Sequence, residues 1–82
     1  MSKKQDDDFD YTDDYADDTF EYRQVIINKG EIQARLPYPH RILMENEWRN
    51  LGVCQSAGWE NYAIYKAERH VLLFRRLKNQ IH

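Results

Sequence analysis

TFEYRQVII, residues 19–27, is dense in aromatic and β-branched side chains and is closed by Asn28, Lys29 and Gly30. That composition reads as a β-strand ended by turn residues. Side chains alternate across a strand, so one face carries Phe20, Tyr22, Gln24 and Ile26 and the other Glu21, Arg23, Val25 and Ile27. The second face therefore places an arginine beside β-branched core residues, and the rest of the chain must supply a reason for it.

Upstream, Phe9, Tyr11, Asp13 and Tyr15 alternate with period two, a weaker strand, and Ala16, Asp17 and Asp18 can turn the chain into the next one. Downstream, EIQARL (residues 31–36) allows one or two helical turns before Pro37, and Pro37 and Pro39 keep the stretch around Tyr38 extended. LMENEWRNLG (residues 43–52) predicts a short helix with Met44, Trp48 and Leu51 on one face and Gly52 in a left-handed cap. No Ser, Thr or Asp marks its start. WENYAIY (59–65) and HVLLFRR (70–76) predict two more strands, joined through KAER, which lacks Gly and Pro. The fold class is α+β: a four-stranded antiparallel sheet with short helices between the second and third strands.

The 82 residues suffice for one small domain, and 41% hydrophobic and 13% aromatic content allow a modest core. Residues 1–8 predict a disordered acidic arm, residues 9–78 the folded domain, and residues 79–82 a short tail. A formal net charge of −2 hides an asymmetry: residues 1–20 hold eight Asp and two Lys, and the remainder ten Lys/Arg and six Glu. The basic body with its tyrosines and tryptophans would suit single-stranded nucleic acid, but the acidic arm repels a phosphate backbone, so a nucleic-acid partner is not expected. No apolar run approaches the ~18 residues of a membrane span, and none resembles a signal peptide, so no membrane partner is expected. The lone Cys54 cannot form an internal disulfide and fits a reducing compartment, the nucleus and cytoplasm. His40, His70 and Cys54 form no nucleophile–base pair and no metal-ligand spacing, so neither an enzyme nor a metal or other cofactor is expected.

Arg75 and Arg76 adjoin on the last strand, and alternation sends them to opposite faces. One is free to join a site and the other to meet solvent or a local carboxylate. Arg23, an arginine of the last strand, the Ser56 hydroxyl and the Trp59 indole N–H are all donors, and gathered on one sheet face they would bind a tetrahedral oxyanion. The competing reading pairs these arginines with surface Asp and Glu.

FEYRQVII, EWRNLGVCQSAGW and HVLLFRR resemble three blocks of the Cks family, the small regulatory subunits of cyclin-dependent kinases, in the family's order and near its spacing. With the weaker YTDDY segment they cover most of residues 11–76. The resemblance implies a four-stranded antiparallel sheet capped by short helices. It also implies a non-catalytic adaptor in cell-cycle control, with one surface on a cyclin-dependent kinase and a cationic pocket for a phosphothreonine on phosphorylated partners. Carried over, the phosphate-binding residues are Arg23, Ser56, Trp59 and Arg76. The kinase-contact residues are Tyr15, Tyr62, Ile64, Tyr65, Glu68 and His70. Asn46 and Asn50 lie where some members meet a ubiquitin-ligase component.

The chain departs from the family pattern twice. Asp14 stands where the family pocket has a lysine. A like-charge pair at ~5 Å with an effective dielectric near 20 is worth roughly 3 kcal/mol before salt screening, so the alternative reading is a kinase-docking subunit with a blunted phosphate pocket. A further option is that Asp14 pairs with Arg23 or Arg76. The family's His-x-Pro-Glu-Pro-His hinge is here Tyr65-Lys66-Ala67-Glu68-Arg69-His70, without either proline. An ordinary hairpin, and hence a monomer rather than a strand-swapped dimer, is expected.

Overall fold

The structure, a computed structural model, describes residues 8–78. The expected acidic arm lies outside them except for Asp8, and the tail over 79–82 lies wholly outside. The elements are β1 (Phe9–Ala16), β2 (Phe20–Ile27), α1 (Gly30–Gln33), α2 (Glu45–Leu51), β3 (Glu60–Ile64) and β4 (Val71–Leu77). The strands form one sheet in the order β1-β2-β4-β3, and each neighbouring pair is antiparallel. This is the α+β architecture expected from the sequence.

β4 runs between β2 and β3, which explains its apolar sequence: Val71, Leu72 and Phe74 are buried. The core sits on the sheet face that carries Phe9, Val25, Ile27, Leu72 and Phe74, against Ile32, Leu36, Leu43, Trp48, Leu51, Val53 and Trp59 from the helices and loops. The Trp48 ring meets Phe74 edge-on with centroids 5.2 Å apart, a favoured aromatic geometry. Each such large side chain contributes roughly 1.5–3 kcal/mol through burial.

The β1–β2 turn is built by Asp17, whose Oδ1 accepts hydrogen bonds from the Thr19 and Phe20 N–H groups at 2.8 and 2.7 Å. These two bonds hold the Asp17 carboxyl below its usual range. Its other oxygen accepts from the Tyr22 hydroxyl at 2.9 Å, which pushes that phenol up.

Two expectations need correction. Met44 does not share the buried face of α2: it occupies the N-cap position and is 69% exposed, while Leu43, one residue earlier, is buried. The helix start, which lacks a conventional cap residue, is secured instead by Glu47, whose carboxylate accepts from the Met44 N–H at 2.8 Å. Tyr15 also leaves the face of Phe9 and Tyr11. The β1–β2 register shifts between Asp13 and Ala16, so Asp13 lies opposite Arg23 and Ala16 opposite Glu21. The extra residue breaks the alternation and turns Tyr15 onto Tyr22, on the face away from the core. The predicted left-handed cap is found at Gly52, with φ 114° and a Phe9 ring 3.2 Å from where a Cβ would lie.

Candidate functional site

The loop after α2 crosses the core face of the sheet from β1 to β4. Its path is pinned at successive strands. The Cys54 N–H donates to the Tyr11 hydroxyl at 2.8 Å, the Gln55 Oε1 accepts from Arg23 Nη1 at 3.0 Å, and the Ser56 Oγ accepts from Arg76 Nη1 at 2.9 Å. Trp59 is buried at the end of the loop. Its ring lies 4.2 Å from the Arg23 guanidinium carbon and 4.7 Å from that of Arg76. Arg23, Ser56, Trp59 and Arg76, spread over more than fifty residues of chain, therefore meet at one locus. Two cations stack on a single indole, a contact that favours guanidinium over ammonium.

Three further residues complete the locus, and the sequence reading had not assigned them to it. Glu21 accepts from Arg76 Nη2 through both carboxylate oxygens at 3.2 Å. Gln55 holds Arg23. Asp13 faces Arg23 across the β1–β2 ladder, with Oδ1 3.9 Å from Nε. The signal for Glu21 was its place two residues before Arg23 on the same strand face. Gln55 announced itself only by adjoining Ser56. Asp13 needed the register.

The option that Asp14 pairs with Arg23 or Arg76 does not hold. The carboxylate beside Arg23 is Asp13 and that beside Arg76 is Glu21. Asp14 falls in the register shift, and its charge helps to raise the Tyr62 phenol, after the larger effects of burial and of Tyr15. Two donors at the locus remain unsatisfied within the protein: Arg23 Nε and Gln55 Nε2 are buried and have no hydrogen-bond partner. Buried polar groups are nearly always paired, so these two N–H groups, shut off from solvent, leave hydrogen-bonding capacity unused beneath the locus.

Arg75 takes the opposite face, as alternation requires. It binds Glu60 at 2.7 Å, which raises it further, and its guanidinium lies 4.2 Å from the Phe20 ring and 5.3 Å from that of Tyr62. This outer face carries a tyrosine row. Tyr15 stacks on Tyr22 at 4.5 Å, and Tyr22 meets Tyr62 at 5.5 Å.

The six positions expected at a kinase contact divide among three places. Tyr15 and Tyr62 belong to the outer row. Ile64, opposite Leu72 in the ladder, and Tyr65 line a cleft with Leu36, Pro37, His40 and Leu43. Glu68 and His70 lie in the β3–β4 turn with 3.9 Å between Oε1 and Nε2. Arg69 reaches the Leu36 and Pro37 carbonyls at 3.4 and 3.5 Å. Asn46 and Asn50 are exposed on α2. Among the described residues no group of His, Cys, Asp and Glu could hold a metal ion.

A family model described as "Cyclin-dependent kinase regulatory subunit" matches residues 9–78. The chain is 54% identical over 69 residues to cyclin-dependent kinases regulatory subunit 2 of Arabidopsis thaliana, covering 84% of this chain and 81% of that protein. It is 51% identical over 69 residues to the cyclin-dependent kinases regulatory subunit of Caenorhabditis elegans, covering 84% and 71%. With the Drosophila melanogaster subunit the identity is 50% over 68 residues, covering 83% and 89%. The resemblance carried by FEYRQVII, EWRNLGVCQSAGW and HVLLFRR is thus matched along nearly the whole described chain, and the protein belongs to the family of cyclin-dependent kinase regulatory subunits.

Proposed function

We propose that the protein is a non-catalytic adaptor that binds a cyclin-dependent kinase and docks phosphothreonine-containing partners in the pocket of Arg23, Ser56, Trp59 and Arg76. The observation that carries the reading is the convergence of Arg23, Ser56, Trp59 and Arg76 at one locus, both guanidinium groups lying over the Trp59 ring and Arg76 held by Ser56. Arg23 and Arg76 supply charge and fork geometry, Ser56 a hydroxyl whose oxygen is already oriented by Arg76, and Trp59 an apolar wall that keeps water from the guanidinium faces. The kinase surface includes Tyr15, Tyr62, Ile64, Tyr65, Glu68 and His70, of which the exposed Tyr15, Ile64 and Tyr65 offer apolar contact. Asn46 and Asn50 give a ubiquitin-ligase component a polar helix face. The protein acts as a monomer, a reading supported by the Arg69 contacts to the Leu36 and Pro37 carbonyls that tie the last turn down. Its kinase partner puts its workplace in the nucleus and cytoplasm.

Calorimetric titration of a phosphothreonine-proline peptide tests the pocket. Wild type binds the phosphorylated form and not the unphosphorylated one, and Arg76→Ala loses at least tenfold in affinity. Equal binding of the two peptides rejects the pocket. Capture of a cyclin-dependent kinase from lysate, with and without phosphatase treatment, separates kinase docking from phosphate capture.

A second reading is favoured by the acidic first strand: a kinase-docking subunit whose phosphate pocket is weakened. Asp14→Lys then binds the phosphopeptide more tightly than wild type, and equal affinities reject it.

A further inference from the structure

Two carboxylates border the pocket in different states. Glu21 is half-buried and both its oxygens are engaged by Arg76. Asp13 is not engaged in that way. Its side chain is 93% exposed, and its 3.9 Å approach to Arg23 Nε is too long for a hydrogen bond. Arg23 spends its own contacts on Gln55 and the Trp59 ring. Asp14 follows in the register shift and is also exposed. Both lie on β1, an edge strand. The rim of the pocket on this side therefore carries the Asp13 charge toward solvent, with Asp14 the next residue along the strand, while its floor is positive.

We infer that Asp13 and Asp14 select phosphopeptides by their flanking charge, favouring basic residues beside the phosphorylated one and rejecting acidic ones. The inference rests on the phosphate-pocket reading above. A phosphate seated against Arg23 brings its peptide backbone across the rim, and an extended chain advances only ~3.3–3.6 Å per residue. The nearest one or two flanking side chains thus fall within about 10 Å of Asp13, inside or near one Debye length at physiological salt. Each charge pair at that range, exposed to water, shifts affinity about twofold before salt screening, and exchanging lysine for glutamate reverses the sign of every pair. The floor attracts the phosphate whatever surrounds it. The rim discriminates, because it acts with opposite sign on lysine and glutamate neighbours.

The test titrates two phosphothreonine peptides, identical except for lysine or glutamate on both sides of the phosphorylated residue, into the full chain. Their unphosphorylated forms are run alongside. Wild type prefers the lysine-flanked phosphopeptide by about tenfold at low salt. The Asp13→Asn/Asp14→Asn double variant, altered only at exposed positions, cuts that preference at least threefold. Glu31→Gln, an exposed acid on α1, leaves it unchanged. A wild-type protein that binds both phosphopeptides equally overturns the inference while the pocket stands. So does a preference that survives in the double variant. If neither phosphopeptide binds better than its unphosphorylated form, the pocket reading falls and this one falls with it.

Discussion

Arg41 and Glu47 show how a single pair replaces a missing cap. Arg41 donates from Nη1 and Nη2 to the two Glu47 oxygens at 2.9 and 2.6 Å, and one of those oxygens also accepts from the Met44 N–H that opens α2. The Arg41 bonds and then the Met44 bond hold the Glu47 carboxyl down at about 2, from an ordinary 4.5. The folded value lies below the unfolded one, so the carboxylate supports the fold at neutral pH. That support drains away as pH falls from about 4.5 through about 2. A carboxyl-detected NMR titration checks this: the Glu47 midpoint lies near 2, and Arg41→Met moves it up toward 4.5. A wild-type midpoint already at the ordinary value would show that the pair does not persist in solution. The same scale governs the pocket, where Arg76 is fixed by Ser56 on one terminal nitrogen and by Glu21 on the other, so its plane is set before any ligand arrives.

Among the elements, the α2–loop junction positions the site. Gly52 ends α2 with φ 114°, and from there the chain turns across Tyr11, Arg23 and Arg76 in order. Gly52→Ala puts a methyl group in left-handed backbone and against the Phe9 ring, and costs about 1–2 kcal/mol from backbone strain alone. Urea denaturation measures the loss; an unchanged midpoint would mean that the junction is slack.

Much of this scale was legible in advance. The two faces of β2 followed from alternation, because Val25 and Ile27 needed a core on the side where Arg23 also pointed. The Gly52 cap followed from a glycine at the end of a periodic stretch. Tyr15 and Met44 were misread for related reasons. A one-residue shift in β1 reverses the face of everything after Asp13, and only cross-strand pairing reveals it. Met44 matched the helical period, yet it stands before the first helical turn, where a backbone N–H satisfied by Glu47 mattered more than burial. The donors at the pocket could be named from the chain, and alternation put Glu21 on the face of Arg23, but Asp13 and Gln55 joined them only through tertiary geometry.

The whole molecule presents two sheet faces with different tasks. One is covered by the helices and the loop, which crosses Arg23 and Arg76 at one end and leaves a cleft beside Ile64 and Tyr65 at the other. The other is left with its tyrosine row of Tyr15, Tyr22 and Tyr62 beside Arg75. Under the proposed function, the tyrosine row would belong to the kinase surface and the Arg23–Arg76 end to the phosphorylated partner. Light scattering at micromolar concentration bears on the unit that does this: a mass of about 10.0 kDa is expected, and a dominant dimer would contradict it. The central claim is the phosphate receptor. Its most direct measurement is a heteronuclear NMR titration with a phosphothreonine peptide and with its unphosphorylated twin, following the Trp59 indole N–H and the Arg23 and Arg76 Nε–H signals. The account predicts that all three shift together and saturate with the phosphorylated peptide alone; signals that stay in place, or move equally with both peptides, would contradict it.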